Sequence, residues 1–534
     1  MICPDFPALS GLPVVDVKDE NVVHVECPGV VPVVEVLDWE IDQGAVTSTR
    51  TLSGSLGVRG DRECLVDMQL MYSGNRLEKE TFTAWIRRIS QIYTPDYRRR
   101  EKYIAMPDPK LDWFTHDRLG LFVHWGLYAL GARHEWLMNR ERIQTKTYER
   151  YARYFQPDLF DPVDWAQQAK RAGMRYVVLT TKHHEGFCLW DSKLTDYTVV
   201  NTPYGKDVVA QYVDAVRAAG LKVGFYYSLL DWHHPDFLVD GHHPRRDDPD
   251  AEAQNVGRDP SRYRAYLHGQ IRELLTGYGK IDYLFYDFSY EHSYQGEVWG
   301  GKGVDAWGSE ELLALTRELQ PGILVNDRLG IPGDFVTPEQ YQPAKPMEID
   351  GRPVPWEACQ TLNGSWGYFR DNQNDKPVDL LVRMLIDGVS KNGNLLLNVG
   401  PTARGNFDTR AQRALEGIGD WMDLHARSIY GATASPLTPP TDVRYTQRGN
   451  RLYLHIFSWP LEHLHLPDLA GKVEYAQLLN DASEIGFRVI DPAVRAQNTG
   501  VGGQPAGTLT LTLPIRRPEV AVPVVELFLS EPEA

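Results

Sequence analysis

Residues 161–185 read Asp161-Pro-Val-Asp-Trp-Ala-Gln-Gln-Ala-Lys-Arg-Ala-Gly-Met-Arg-Tyr-Val-Val-Leu-Thr-Thr-Lys-His-His-Glu185. The stretch opens with Asp161 as an N-cap and Pro162 at the first helical position, and it stops at Gly173. The pattern then changes. Tyr176-Val-Val-Leu is a continuous apolar run of strand length, which suits a parallel strand covered on both faces. The unit recurs. Helical spacing predicts further helices over 208–219, 262–275, 310–319 and 380–390. Between them lie the runs Leu121-Phe-Val-His124, Lys222-Val-Gly-Phe-Tyr-Tyr227, Asp282-Tyr-Leu-Phe-Tyr-Asp287, Gly322-Ile-Leu-Val-Asn-Asp327 and Asn394-Leu-Leu-Leu-Asn398. Parallel strands alternating with crossover helices from 113 to 431, in six or more units, favour an α/β fold of the (β/α)8-like TIM-barrel type over an open sheet.

Outward from this centre the composition changes twice. After the Pro-rich joint Ser435-Pro-Leu-Thr-Pro-Pro440 only strand-like runs follow, at 452–457, 473–479, 508–513 and 524–529, separated by Gly, Pro and Asn turns. They predict a C-terminal antiparallel β-sandwich over 436–534. Before the barrel, Val31-Pro-Val-Val-Glu-Val-Leu37 and Cys64-Leu-Val-Asp-Met68 read as strands and 77–92 as a helix. These predict a small N-terminal α+β accessory domain over 1–104, which leaves 105–435 for the barrel.

The 534 residues carry 56 Lys and Arg against 72 Asp and Glu, a net charge of −16 that disfavours nucleic acid and anionic membranes as partners. No basic leader and no long apolar span is present, so neither a signal peptide nor a membrane anchor is expected. Five scattered cysteines without a Cys-x-x-Cys pair fit neither a disulfide framework nor a zinc ribbon, and a reducing cytoplasm is the expected location. Fourteen Trp and 27 Tyr suit a protein that stacks aromatic faces on sugar rings.

In such a barrel the C-terminal strand tips face the active site. Here the tips are His124-Trp125, Lys182-His183-His184-Glu185, Tyr226-Tyr227, Asp287, Asn326-Asp327-Arg328 and Asn398. Polar groups recurring at buried strand ends imply a shared pocket, because unpaired burial is costly. Asp287 ends an aromatic strand, where a carboxylate attacks or stabilises a developing cation. Two readings stand for Arg328: it braces Asp287, or it pairs with Asp327 on the rim. The histidines have no metal-ligand spacing and are read as binding hydroxyls, with no metal or cofactor expected. His233-His234 and His242-His243 are read as a solvated loop.

The motifs His124-Trp-Gly126, Glu135-Trp136, Thr181-Lys-His-His-Glu-Gly-Phe187, Gly224-Phe-Tyr-Tyr-Ser228, Asp287, Val325-Asn-Asp-Arg328, Trp356-Glu-Ala-Cys359, Ser365-Trp-Gly-Tyr368 and Gly393-Asn-Leu-Leu-Leu-Asn-Val-Gly-Pro401 occur in the order of one family. Together they resemble the α-L-fucosidases of glycoside hydrolase family 29, from about 113 to 435, with the first hundred residues outside the resemblance. The resemblance implies a retaining exo-glycosidase that acts on fucosylated oligosaccharides or glycoconjugates without metal or organic cofactor; a homo-oligomer is compatible with the sequence. It assigns Asp287 as nucleophile and His124, Glu135, Trp136, His183, His184, Tyr226 and Arg328 to binding fucose or bracing the nucleophile. Glu339 in Thr337-Pro-Glu is the expected acid/base; Glu357 is the competing candidate and is otherwise counted with the substrate-binding residues. The rival readings are a retaining glycosidase for another galacto-configured sugar and a non-catalytic carbohydrate-binding barrel.

Overall fold

The computed structural model describes residues 108–292, 300–497 and 501–530, with the backbone of four strands nearer the start. The chain divides into two compact units, Met1–Glu101 and Lys102–Ala534. In the first, His24–Val25, Val34–Asp42, Arg50–Val58 and Leu65–Tyr72 form an antiparallel sheet in sequence order. The expected helix over 77–92 lies outside the described residues.

The second unit is built on seven parallel strands: β1 Leu119–Val123, β2 Tyr176–Lys182, β3 Lys222–Ser228, β4 Tyr283–Asp287, β5 Leu324–Val325, β6 Trp356–Thr361 and β7 Gly393–Val399. They run in the order β5-β4-β3-β2-β1-β7-β6. The outer layer contains α1 Pro162–Arg171, α2 Val208–Ala218, α3 Pro260–Gly277, α4 Ser309–Leu319, α5 Val378–Val389 and α6 Thr409–His425. An aspartate side chain caps four of these starts: Asp161 accepts from Val163 N, Asp207 from Ala210 N, Asp259 from Ser261 N and Asp408 from Ala411 N. The sequence pattern anticipated five of the helices within about two residues; α6 and β6 were not among the expected elements.

An irregular segment joins the free edges of the sheet. Phe335 bridges Asn326, Val336 bridges Trp356 and Glu339 bridges Cys359, each in parallel sense. Residues 335–339 therefore act as the eighth stave of the barrel and carry Glu339 at their upper end. No helix connects this stave to β5, and Pro338 interrupts its apolar pattern. A buried carboxylate holds it in place: Asp334 Oδ2 accepts from Val325 N at 2.8 Å, while Oδ1 meets Lys110 Nζ at 2.6 Å and Arg317 Nη2 at 2.7 Å.

Alternate residues on each strand point inward, which sorts the interior into layers by register. Tyr176, Tyr283, Glu357 and Asn394 lie near the strand starts, and Val178, Phe285, Cys359 and Leu396 lie two residues further on. His124, Tyr226, Asp287 and Asn398 crown the barrel. Gly120 is the small partner the lowest layer requires, since a Cβ there would lie 2.2 Å from the Tyr176 ring.

Beyond 431 the strands form two antiparallel sheets. One comprises Thr433–Ala434, Val443–Arg448, Arg451–Ile456, Val524–Leu529 and Val473–Leu478; the other comprises His463–Leu466, Leu509–Thr512 and Gly486–Val489. A separate apolar core that includes Leu454, Leu466, Leu511 and Leu527 fills the sandwich. It is anchored to the barrel helices, where Trp421 Nε1 donates to Val522 O at 2.8 Å and Arg444 pairs with Asp387 at 2.9 Å.

Replacing Asp334 with Ala should lower unfolding stability by about 2–3 kcal/mol, because it removes the buried anion that Lys110 and Arg317 share and leaves Val325 N without its acceptor. Denaturant unfolding followed by tryptophan fluorescence measures this. A loss below about 1 kcal/mol would mean that Asp334 does not hold the eighth stave.

Candidate active site

A cavity of about 570 Å³ opens at the C-terminal end of the barrel and is lined by His124, Glu135, Trp136, His183, His184, Tyr226, Asp287, Arg328 and Glu339 among others. Of the ten residues that the resemblance assigns to catalysis or binding, all but Glu357 line it.

Asp287 is 9% exposed. Its Oδ2 accepts from the Tyr226 hydroxyl at 2.7 Å and its Oδ1 from Arg328 Nη1 at 2.9 Å. Burial, reinforced by the Asp287 charge, pushes the Tyr226 hydroxyl well above its ordinary range, so it remains a donor. Of the two readings of Arg328 the structure selects the brace, because Asp327 instead accepts from Thr337 Oγ1 at 2.8 Å. Thr337 also fixes the guanidinium, accepting Arg328 Nε at 2.9 Å and Nη2 through its carbonyl at 3.2 Å. Arg328 Nη1 makes a second contact, to Glu339 Oε2 at 2.6 Å. One nitrogen therefore holds an oxygen of each carboxyl group. The two distances together, 5.5 Å, are the largest separation those oxygens can have.

Three histidines form one wall. His124 Nδ1 lies 2.6 Å from Asn398 Oδ1, and Asn398 Nδ2 donates to Trp366 O at 2.7 Å, so Oδ1 is the acceptor and Nδ1 of His124 carries the proton. His184 Nδ1 lies 2.6 Å from Ser228 Oγ, whose own proton goes to Leu230 O at 2.9 Å. This ring too is protonated on Nδ1. Burial and the neighbouring His183 hold both rings well below the ordinary histidine range, and each neutral ring keeps Nε2 as an acceptor. His184 Nε2 is 4.0 Å from Asp287 Oδ2. His183 packs against His184 with ring centres 4.0 Å apart, and its Nδ1 is 3.4 Å from the buried Glu185 Oε2.

The opposite wall comes from the loop after β1. Glu135 is buried, and its Oε2 accepts the amides of Trp366 and Gly367 at 3.1 and 2.9 Å. Its Oε1 lies 3.0 Å from His134 Nδ1, which itself accepts from Trp136 N. Trp136 stands against His184 and Phe288, with ring centres 5.0 and 5.4 Å apart. Phe288, directly after Asp287, has φ 85°, an uncommon angle for a bulky residue that turns the chain sharply behind the carboxylate. Gly186 has φ +81°, and a Cβ there would lie 2.2 Å from Asp231 Oδ1, the carboxylate that pairs with buried Lys182 at 3.1 Å.

Two expectations are corrected. Glu357 is not in this cavity: as the second residue of β6 it points inward in the lowest layer, at the other end of the barrel. The Tyr176 hydroxyl donates to its Oε1 and the Tyr283 hydroxyl to its Oε2, the latter at 2.6 Å. Burial raises its pKa to about 7 despite these donors. The loop histidines are not a solvated group either. His242 and His243 are 7% and 1% exposed, and His242 lines the cavity together with Asn139, Arg140 and Arg246. Their burial against Phe237, Phe288 and Tyr290 was not legible in a stretch dominated by Asp, Pro and Arg. Among the described residues, no group of three or more His, Cys, Asp or Glu is arranged to hold a metal ion.

A family model described as alpha-L-fucosidase matches residues 87–427. The chain belongs to the α-L-fucosidase family, glycoside hydrolase family 29. Among solved structures it is similar to α-L-fucosidase isoenzyme 1 from Paenibacillus thiaminolyticus, at 43% identity and a TM-score of 0.72, over 81% of this chain and all of that one. It is also similar to a family 29 α-L-fucosidase from Bacteroides thetaiotaomicron described as a trapped covalent intermediate with 2-fluoro-fucosyl fluoride, at 27% identity and a TM-score of 0.67, over 80% of this chain and 97% of that one. The mouse tissue α-L-fucosidase is 28% identical over 402 residues, covering 69% of this chain and 81% of the relative. The chain is thus a glycoside hydrolase of the α-L-fucosidase family, with the cavity on the catalytic face of its barrel.

Glu357 gives a test of this placement. Its raised pKa means the fold favours the protonated carboxyl, so its contribution to stability is complete below the unfolded carboxyl range and is lost as pH rises through about 7. Glu357→Gln, which stays neutral, should gain stability relative to the unmodified protein as the pH is raised from about 5 to about 8. Thermal melts across that range measure the difference; a pH-independent difference would contradict the assignment.

Proposed function

We propose that this protein is a retaining exo-α-L-fucosidase in which Asp287 is the nucleophile and Glu339 the acid/base. The observation that carries the reading is the shared contact of both carboxyl groups with Arg328 Nη1, which holds their nearest oxygens within 5.5 Å. A retaining pair stands about 5–5.5 Å apart, whereas an inverting pair needs about 6.5–9.5 Å to admit a water. In the first step an Asp287 oxygen bonds to the anomeric carbon while Glu339 gives its proton to the departing glycosidic oxygen. In the second, Glu339 takes a proton from water, the water oxygen bonds to the anomeric carbon and the bond to Asp287 breaks. The side chain of Glu339 is 40% exposed and so meets the solvent that supplies this water. Tyr226 and Arg328 aim Asp287 through hydrogen bonds to its two oxygens.

The enclosing walls support a fucose-sized glycone. The Nε2 acceptors of His124 and His184 suit sugar O–H donors, and Trp136 and Phe288 offer apolar faces. The covalent intermediate described for the Bacteroides enzyme is consistent with the same two-step course.

Asp287→Gly should reduce turnover of an aryl α-L-fucoside by at least about 1,000-fold, and added azide should restore part of it as an external nucleophile. Turnover near normal in a folded variant would remove Asp287 from the chemistry. Glu339→Ala should impair fucosides with poor leaving groups far more than activated aryl fucosides; equal losses on both would remove Glu339 from the acid role.

Stereochemistry tests the mechanism independently. Two inversions require α-L-fucose as the first-formed product. Proton NMR of the anomeric signals in the first minutes, before mutarotation, should show this anomer, and initial appearance of the β-anomer would discard the nucleophilic role of Asp287. The same preparation assayed on nitrophenyl fucoside and nitrophenyl galactoside tests the sugar, with the fucoside expected to be the faster substrate.

A further inference from the structure

Three carboxylates, Glu135, Asp287 and Glu339, and three guanidinium groups, Arg140, Arg246 and Arg328, line the cavity, but they are not paired one to one. Asp287 and Glu339 are both held by Arg328, and Glu135 rests on backbone amides. Two further guanidinium groups, Arg140 and Arg246, line the same cavity. Neither forms an ion pair with a carboxylate among the described residues. Arg140 is exposed, and its side chain makes no hydrogen bond there. Its charge acts on buried His134, which burial and Arg140 together push down to about 3. Arg246 is half-buried and fixed: its Nη1 donates to Asn139 Oδ1 at 3.1 Å and to His243 O at 2.9 Å, and Asn139 is itself tied to the His242 carbonyl. Burial and the like charge of Arg142 lower the proton affinity of Arg246, an effect that the charges of Asp247 and Asp240 only partly offset. In the same loop Arg245 pairs with Asp248 at 2.8 Å, and Arg245 and Arg258 line a separate cavity of about 410 Å³.

The buried floor, with Asp287, Glu135 and the histidines, is taken by the glycone; the more exposed lining residues meet what the glycone is attached to. From the rigid, unpaired Arg246 and the exposed Arg140 beside it we infer that the enzyme is built for fucosides whose aglycone saccharide carries an oxyanion, a sulfate ester or a carboxylate, placed against these two guanidinium groups. A planar guanidinium pairs with either group through two parallel hydrogen bonds. The overall negative charge repels a polyanion, which favours a single anionic group at this position over a highly charged chain. The inference rests on the fucosidase reading and refines it to a substrate class.

The test compares kcat/KM for nitrophenyl α-L-fucoside, a neutral fucosylated trisaccharide, and the same trisaccharide bearing either a sulfate ester or a sialic acid. At low ionic strength at least one anionic form should exceed the neutral trisaccharide by about tenfold, and the advantage should shrink as salt is raised toward about 0.5 M. The identity of the better anionic form distinguishes sulfate from carboxylate. In Arg246→Gln, and more so in Arg140→Gln/Arg246→Gln, the ratio of anionic to neutral kcat/KM should fall toward one. The salt dependence is read on the unaltered enzyme and does not depend on the variants folding. Equal rates on neutral and anionic trisaccharides, or a preference insensitive to both salt and Arg246, would overturn the inference while leaving the fucosidase reading intact. No hydrolysis of any fucoside would instead overturn the fucosidase reading.

Discussion

The bond from Arg328 Nη1 to the oxygens of both Asp287 and Glu339 is the constraint around which the site is organised. It joins two structural elements that share no regular strand pairing: Asp287 ends β4, and Glu339 ends the irregular stave that closes the barrel. A guanidinium is suited to this because it is planar, permanently charged and offers several donors at fixed angles. Thr337, two residues before Glu339, takes two of those donors, so the arginine that spans the carboxyl groups is itself fixed to the stave carrying one of them. Separation and orientation of the pair are thereby constrained by one side chain.

The barrel below explains why the pair can be held so closely. Its interior is layered by strand parity, and each layer makes a different use of buried polar groups. At the bottom, Glu357 is enclosed by Tyr176 and Tyr283, and burial shifts it toward the neutral form. At the top, Asp287 has a tyrosine and an arginine as donors. Two carboxyl groups in one barrel thus differ in role because they differ in depth and in the company they keep. Around Asp287, the neutral rings of His124 and His184 present acceptors. The result is an acceptor-rich cup with a single strong cation at its base. That arrangement matches a polyhydroxylated ligand, which arrives with many O–H donors and develops positive charge at the reacting carbon.

The loops complete the cavity at the rim. Asn139, Arg140, His242 and Arg246 come from two loops separated by about a hundred residues in sequence, and they meet because Trp136, Trp232 and Phe288 pack into one aromatic cluster beneath them. The same cluster buries His242 and His243, which turns an apparently polar loop into part of the cavity wall.

Much of this was legible in the residues alone. The apolar runs, the Asp and Pro helix starts and the glycine stops are local signals, so they identified six of the seven regular strands and five of the long helices; the polar strand tips pointed to a common pocket because burial of such groups has to be compensated. The sequence by itself thus determined the barrel, the face carrying the chemistry and the candidacy of Asp287. Tertiary structure decided which glutamate stands beside Asp287. Glu339 and Glu357 lie on neighbouring staves, and what separates them is their depth in the barrel, set by register and closure among segments far apart in the chain. Tertiary structure likewise selected Asp287 over Asp327 as the partner of Arg328, fixed the histidine tautomers through Asn398 and Ser228, and buried the 242–243 loop. Each depends on long-range pairing, and no periodicity within a single segment encodes it.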